Sequence, residues 1–239
     1  AEAARRLEAG AILISGRGSN MSALLRAAAD ADFPAKIVAV ISDNADAPGL
    51  KAAEAAGVPA LAVPSANFTD RISHERALEA VLAEREAELI CLAGFMRLLS
   101  AGFVARREGR MLNIHPSLLP LFPGLHTHAR AIEAGMRVHG CTVHFVTPQM
   151  DAGPIIAQAA VPVLPGDTAD ALAERVLQVE HRLYPLALAL VASGKARMES
   201  GRTVFSNAVE IGWGERSTLL VPSSIEDKLD LEDLARLTP

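Results

Sequence analysis

Asn113 and His115 stand two residues apart in the run LNIHPSLLP. The stretch MLNIH reads as a strand, so both side chains leave one side of a sheet at the strand's C-terminal end. That end is where open α/β sheets bind ligands. A carboxamide beside an imidazole can donate to a developing oxyanion, and His can also hold or pass a proton, which suits chemistry through a tetrahedral intermediate. Taken alone, the pair reads more readily as a strand-end cap holding the Pro116 turn. Asp151, in MDAGP, is an acid among turn-forming residues between two apolar runs. A carboxylate there would orient His115, favour the protonated ring and receive a proton through water, although the tripeptide alone reads as an ordinary turn.

Gly16-Arg17-Gly18-Ser19-Asn20 lies between a strand and a helix start, where free backbone N–H groups and the helix dipole attract anions. No glycine completes a dinucleotide fingerprint and no Gly-Lys-Ser/Thr follows. A monophosphate or small carboxylate fits better, with Ser19 and Asn20 adding donors; a plain tight turn is the alternative. His126 and His128 have metal-ligand spacing but lack further ligands nearby. His144, in TVHFV, reads as a strand residue whose side can face the cleft, and His74 and His139 have no evident role. Glu180 and His181 read as solvated mid-helix residues with the option of projecting into the cleft. Asp43 follows the second strand at about the place of a ribose-binding acid, a weak signal without the third glycine.

Short aliphatic runs alternate with helical patterns over the first two-thirds, which predicts βα units and a mostly parallel sheet covered on both faces. Strands are expected at 11–15, 37–41, 60–63, 88–94 and 111–115. Helices follow the GRGSN loop, end near Ala56, and span about 69–86, where Ile72, Leu78, Val81 and Leu82 form the apolar side. A short helix at 128–134 leads to two strand-like runs, CTVHFVT and PIIAQAAVPV, whose short connection PQMDAG predicts a mixed sheet edge. One long helix runs from about 167 to 193 with Thr168 as N-cap, and Pro185 is expected to kink or end it. KARMESGRTVF reads as a hairpin turning at Ser200 and Gly201.

These pieces belong to a chain of 239 residues, 50% hydrophobic, with 23 Lys+Arg against 28 Asp+Glu and a net charge of −5. That balance disfavours a dedicated nucleic-acid binder and describes a globular protein. No apolar run is long enough to span a membrane. The first ten residues lack an apolar core and read as a short helix, not a secretory leader. Cys91 and Cys141 sit in apolar runs and read as reduced hydrophobes, which fits a cytoplasmic protein. One domain is expected, with an N-terminal extension at 1–10 and an acidic C-terminal extension at 214–239.

The series ISGRGSN, ISDNADAPGL, LAGFMRLLS, LNIHPSLLPLFPGLHTH, HGCTVHFV, MDAGPIIAQ and EHRLYP resembles the phosphoribosylglycinamide formyltransferases, a formyltransferase-fold family, over roughly residues 11 to 213. The resemblance implies a Rossmann-like α/β fold and metal-free transfer of a formyl group from 10-formyltetrahydrofolate, as co-substrate, to the amine of glycinamide ribonucleotide in purine synthesis. It implies catalytic roles for Asn113, His115 and Asp151. Gly18, Ser19 and Asn20 correspond to a phosphate loop. Phe95, Met96, Arg97, Leu98, Val104, Asn113, Thr147 and Asp151 correspond to a folate site, and Glu180 to a contact with the nucleotide's ribose. Small-molecule partners, no nucleic acid or membrane, and a cytoplasmic monomer or homodimer are the matching expectations. Arg17 stands where many relatives carry a smaller polar residue, and Leu177 where a polar or basic one is expected. Hydrolysis of the same folate and a non-catalytic nucleotide-binding module are the rival readings. A tRNA-directed relative is disfavoured, because the residues from Ser200 onward carry a net charge of −3 that would repel a polyanion.

Overall fold

Runs rich in Ile, Val, Leu and Ala pair into a seven-stranded sheet in the computed structural model, which describes residues 7–206. Strands β1 (Glu8–Ile14), β2 (Ala35–Ser42), β3 (Ala60–Ala62), β4 (Leu89–Leu92) and β5 (Met111–His115) pair in parallel. Then β6 (Val138–Phe145) and β7 (Ile155–Pro162) add antiparallel, giving the order β3-β2-β1-β4-β5-β6-β7 and the expected mixed edge. The helices are α1 (Ser19–Ala28), α2 (Pro48–Ala55), α3 (Arg71–Glu84), α4 (Ala101–Ala105), α5 (Thr127–Glu133) and α6 (Ala169–Ala192). A separate hairpin joins β8 (Ala196–Glu199) to β9 (Arg202–Phe205).

The period-two alternation of β1 divides the core into layers. Ile12 and Ile14 pack with Leu24 of α1 and Leu183 and Leu188 of α6, whereas Ala11 and Leu13 pack with Leu78 and Leu82 of α3 and Phe103 of α4. Both faces of the sheet are thus covered, as parallel pairing requires. Cys91 and Cys141 are free and buried, and burial pushes both thiols up to about 12. Among the described residues, no helix is long and apolar enough to cross a membrane.

Three local expectations are corrected, and one helix, α4, is added. Glu8 to Gly10 are not helical, because they extend the parallel ladder against Ala35 to Ile37. Helix α4 escaped the sequence pattern because its five residues show too little periodicity; the Ser100 hydroxyl caps it by accepting from Phe103 N–H at 3.2 Å. Ile72 is exposed rather than part of the α3 core face, which His74, Glu75, Leu78 and Leu82 form. Helix α6 is the one long helix expected, and Pro185 does not end it: it continues to Ala192. The missing N–H costs about 3 kcal/mol, and burial of Leu183, Tyr184, Ala187 and Leu188 around it opposes that cost. The Thr168 cap on α6 follows expectation. Residues 1–6 and the acidic segment at 214–239 lie outside the described residues.

Helix α6 is also fastened to the sheet by Tyr184, whose buried hydroxyl faces the carbonyls of Leu92 at 2.9 Å and Leu112 at 3.1 Å. It bridges β4 and β5 just below the ends that carry the candidate site. Tyr184→Phe is expected to lower stability by about 1–2 kcal/mol, read as a lower urea midpoint at constant slope; an unmoved midpoint would remove this role.

Candidate active site

Loops follow the C-terminal ends of the parallel strands: residues 15–18 after β1, 93–100 after β4 and 116–126 after β5. Met96 N–H donates to Ser15 Oγ at 2.8 Å, which ties the second loop to the first. Glu75, buried on α3, accepts from Ser100 N–H at 2.5 Å and also from the Ser100 hydroxyl, fixing the far end of the second loop. Across β5 and β6, Asn113 lies opposite His144 and His115 opposite Thr142. Directly opposed residues share a face.

That register determines how Asn113 presents its amide. His144 Nδ1 lies 2.8 Å from the Phe145 carbonyl, which can only accept, so Nδ1 carries the hydrogen and Nε2 the lone pair. Asn113 Nδ2 lies 3.3 Å from that Nε2 and donates one N–H to it, which leaves the other for the cleft. Burial holds the His144 imidazole below its ordinary range and so favours the neutral ring this arrangement needs.

His115 is buried between two acceptors. Its Nε2 lies 3.0 Å from the Phe122 carbonyl and its Nδ1 3.5 Å from Asp151 Oδ2. A doubly protonated ring satisfies both. Asp151 Oδ2 also accepts from Gly124 N–H at 2.9 Å, so one loop touches both members of the pair. Register puts Phe145 opposite Leu112, yet Asp151 reaches His115, so the turn after β6 folds back toward the strand end. Gly153 permits this return: a Cβ there would sit 1.7 Å from the Phe145 carbonyl oxygen. Phe122, at φ 52°, and Asp151, also at φ 52°, occupy the left-handed region. Non-glycine residues held there carry strain of about 1–3 kcal/mol, and such strain clusters at functional sites.

Beneath the same loop, His128 and His139 meet edge-on, with ring centroids 5.2 Å apart. Burial, reinforced by His128, depresses His139 to about 4. Burial and the neighbouring His115 lower His128. No group of three or more His, Cys, Asp or Glu among the described residues is arranged to hold a metal ion, so the His126-x-His128 spacing gains no further ligands there. As pH falls, the unfolded chain takes up protons at the ordinary His value of 6.5, well before His139 does in the fold at about 4. Stability is therefore complete above that ordinary value and is lost progressively through this window. Thermal melts across the window should show a falling Tm, with a shallower slope in His139→Phe; equal slopes would exclude His139 as the cause.

After β1, α1 begins at the left-handed Gly18, with no side-chain cap and no acid in its first turn. Its first N–H groups are thus available to an anion. Asn20 Nδ2 donates to Glu180 Oε2 at 2.7 Å, so α6 does reach this loop. Glu180 is only 6% exposed, not a solvated helix residue, and burial raises its carboxyl, partly countered by the Asn20 hydrogen bond. Asn20 Oδ1 is buried and has no hydrogen-bond partner among the described residues. Arg17 is exposed on the loop and Leu177 is half-buried on α6.

Of the residues matched to a folate site, Met96, Arg97 and Leu98 are exposed on the loop after β4. Phe95 packs in the same apolar cluster as Val146, at the start of the turn that carries Thr147 and Asp151. Val104 is 3% exposed and forms wall rather than surface. Sequence reasoning undervalued His144, whose alternation with Thr142 along one strand was the available signal. It missed Phe122 O and Gly124 N entirely, since backbone groups leave no residue-type signature.

A family model for formyl transferases matches residues 10–188. Over 187 residues the chain is 44% identical to phosphoribosylglycinamide formyltransferase of Escherichia coli, covering 78% of this chain and 88% of that protein. It is 50% identical over 193 residues to the trifunctional purine biosynthetic protein adenosine-3 of Gallus gallus, covering 80% of this chain but only 19% of that longer protein. The crystal structure of phosphoribosylglycinamide formyltransferase from Brucella melitensis superposes with a TM-score of 0.76 at 60% identity, covering 79% of this chain and 97% of that one. With its mixed seven-stranded sheet and a matching model over most of its length, the chain belongs to the formyl transferase family, among the phosphoribosylglycinamide formyltransferases.

Proposed function

We propose that this chain transfers the formyl group of 10-formyltetrahydrofolate to the amine of glycinamide ribonucleotide, a step of purine synthesis, as a cytoplasmic monomer or homodimer acting on small molecules. Residues 11–213 are the catalytic unit in this reading, with no resident metal. The observation that carries it is the arrangement of Asn113, His115 and Asp151 at the end of β5, with one amide N–H of Asn113 directed by His144 and His115 held by Asp151.

In the proposed mechanism the neutral amine of the nucleotide attacks the formyl carbon and a C–N bond forms. The carbonyl oxygen becomes an oxyanion, stabilised by the remaining Asn113 N–H and by the His115 imidazolium. At rest the Nε2–H faces the Phe122 carbonyl. A charged oxyanion is the stronger acceptor, so it takes over that hydrogen bond as the transition state forms. Asp151 balances the imidazolium and relays through water, to the folate nitrogen, the proton lost by the amine; the oxyanion then collapses to re-form the carbonyl, the bond to that nitrogen breaks and tetrahydrofolate leaves.

The first N–H groups of α1, with Gly18, Ser19 and Asn20, bind the phosphate, and exposed Arg17 supplies charge. Glu180 and the unpartnered Asn20 Oδ1 accept from ribose hydroxyls. Phe95, Met96, Leu98, Val104 and Thr147 house the folate body, with Arg97 on its carboxylate.

A spectrophotometric assay of folate product, run with and without glycinamide ribonucleotide, tests the reading. Turnover that requires the nucleotide is expected; equal turnover without it would make the chain a hydrolase, and none would make it a binding module. His115→Ala should lower kcat about 100- to 1,000-fold with substrate KM little changed. Asp151→Asn should follow it with the fold intact, and a chelator should leave turnover unaltered; near-normal turnover of His115→Ala would remove its assigned role.

A further inference from the structure

His115, Thr142 and Gln158 form one row across three strands. The β5–β6 register sets His115 opposite Thr142, and the β6–β7 register sets Thr142 opposite Gln158. Thr142 is buried, and its hydroxyl makes a full complement of bonds. It accepts from Leu119 N–H at 3.0 Å and from Gln158 Nε2 at 2.9 Å, and it donates to the Ser117 carbonyl at 2.7 Å. Gln158 Nε2 places its other hydrogen on the Leu119 carbonyl at 2.9 Å. Both backbone polar groups of Leu119 are therefore held by side chains from this row.

The restraint passes onward along the loop. Ser117 N–H donates to the His115 carbonyl at 2.9 Å, and the Ser117 hydroxyl donates to the Leu121 carbonyl at 2.6 Å. The very next residue presents its carbonyl to His115 Nε2, and Gly124 presents its N–H to Asp151. Both backbone contacts to the proposed acid–base pair thus come from a segment whose start is fastened by Thr142 and Gln158.

We infer that Gln158 is a positioning residue for formyl transfer: through Leu119 and Thr142 it holds residues 117–124 so that Phe122 O orients the His115 ring and Gly124 N–H orients Asp151. The inference rests on the function proposed above. Gln158 touches none of the reacting groups itself. It lies exposed on the outermost strand, so its amide adds little to the core, while its two N–H bonds go to Leu119 of the loop and to the Thr142 hydroxyl that holds the same residue. Displacing a catalytic group by about 1 Å can cost on the order of 100-fold in rate, so partial release of the loop acts on turnover before it acts on folding.

Two variants separate hydrogen bonding from bulk: Gln158→Leu removes the amide, and Gln158→Glu keeps its shape but has no N–H to donate at neutral pH. Both should lower kcat about 5- to 30-fold with KM for each substrate within about twofold, the pattern of a lost transition-state interaction. In the substrate-free protein, both should also shift the His115 ring signals in nitrogen-15 NMR, with Tm close to the parent's. Thr142→Ser, which retains the hydroxyl, should stay near parental in both readouts. Parental ring signals and kcat in both Gln158 variants would overturn the inference, as would a raised KM at constant kcat. A parent chain without transferase activity would refute the proposed reaction, whereas the ring signals test the clamp without any substrate.

Discussion

Cross-strand register between β5 and β6 is the constraint on which the site depends. Strand side chains alternate between faces, so a slip of one residue would send Asn113 and His115 to the side opposite His144 and Thr142. Two glycines keep β6 in place by admitting close backbone contact. A Cβ on Gly140 would lie 1.9 Å from the Ala159 carbonyl oxygen, and one on Gly153 would be still closer to that of Phe145. Leu112 opposite Phe145 then fills the core below, while the polar rows stand above it. Packing and chemistry are thus two readings of one alignment, the apolar members of each strand securing the position of the polar ones.

The negative balance of the chain does not govern what its functional edge attracts. The buried or half-buried carboxylates there are each engaged by specific donors: Glu75 by Ser100, Asp151 by Gly124 and His115, Glu180 by Asn20. In the proposed reaction the substrate anions are attracted by α1, whose first turn carries no acid, and by the exposed arginines at 17 and 97. Local donors at short range outweigh a distributed excess of charge that solvent and salt screen.

Much of this was legible in the sequence, for physical reasons that differ by feature. The parallel core declared itself because strands buried on both faces must be continuously aliphatic, as in AILI and LICL. The spacing of Asn113 and His115 predicted a shared face because strand periodicity is two. Short segments and long-range effects were harder to read. Helix α4 is too brief to show a period, and Glu8 to Gly10 became strand only because β2 offers them a ladder. Pro185 has a clear local preference that burial of its neighbours overrides. Glu180 looked like a surface acid because helical position alone does not reveal that α6 approaches the loop after β1.

The outermost strand has a further consequence for the life of the protein in solution. A sheet ends in unpaired backbone groups that can recruit a strand from another molecule, and β7 is eight residues long with Ile155 and Ala160 exposed. Its ladder is bounded by proline, with Pro154 just before it and Pro162 as its last residue. Neither can donate an N–H to an incoming chain. The other margin, β3, is only three residues long and offers little to pair with. Brevity at one margin and proline at the other limit edge-to-edge assembly, so the strand that bears Gln158 can remain at the surface without becoming a seed for aggregation.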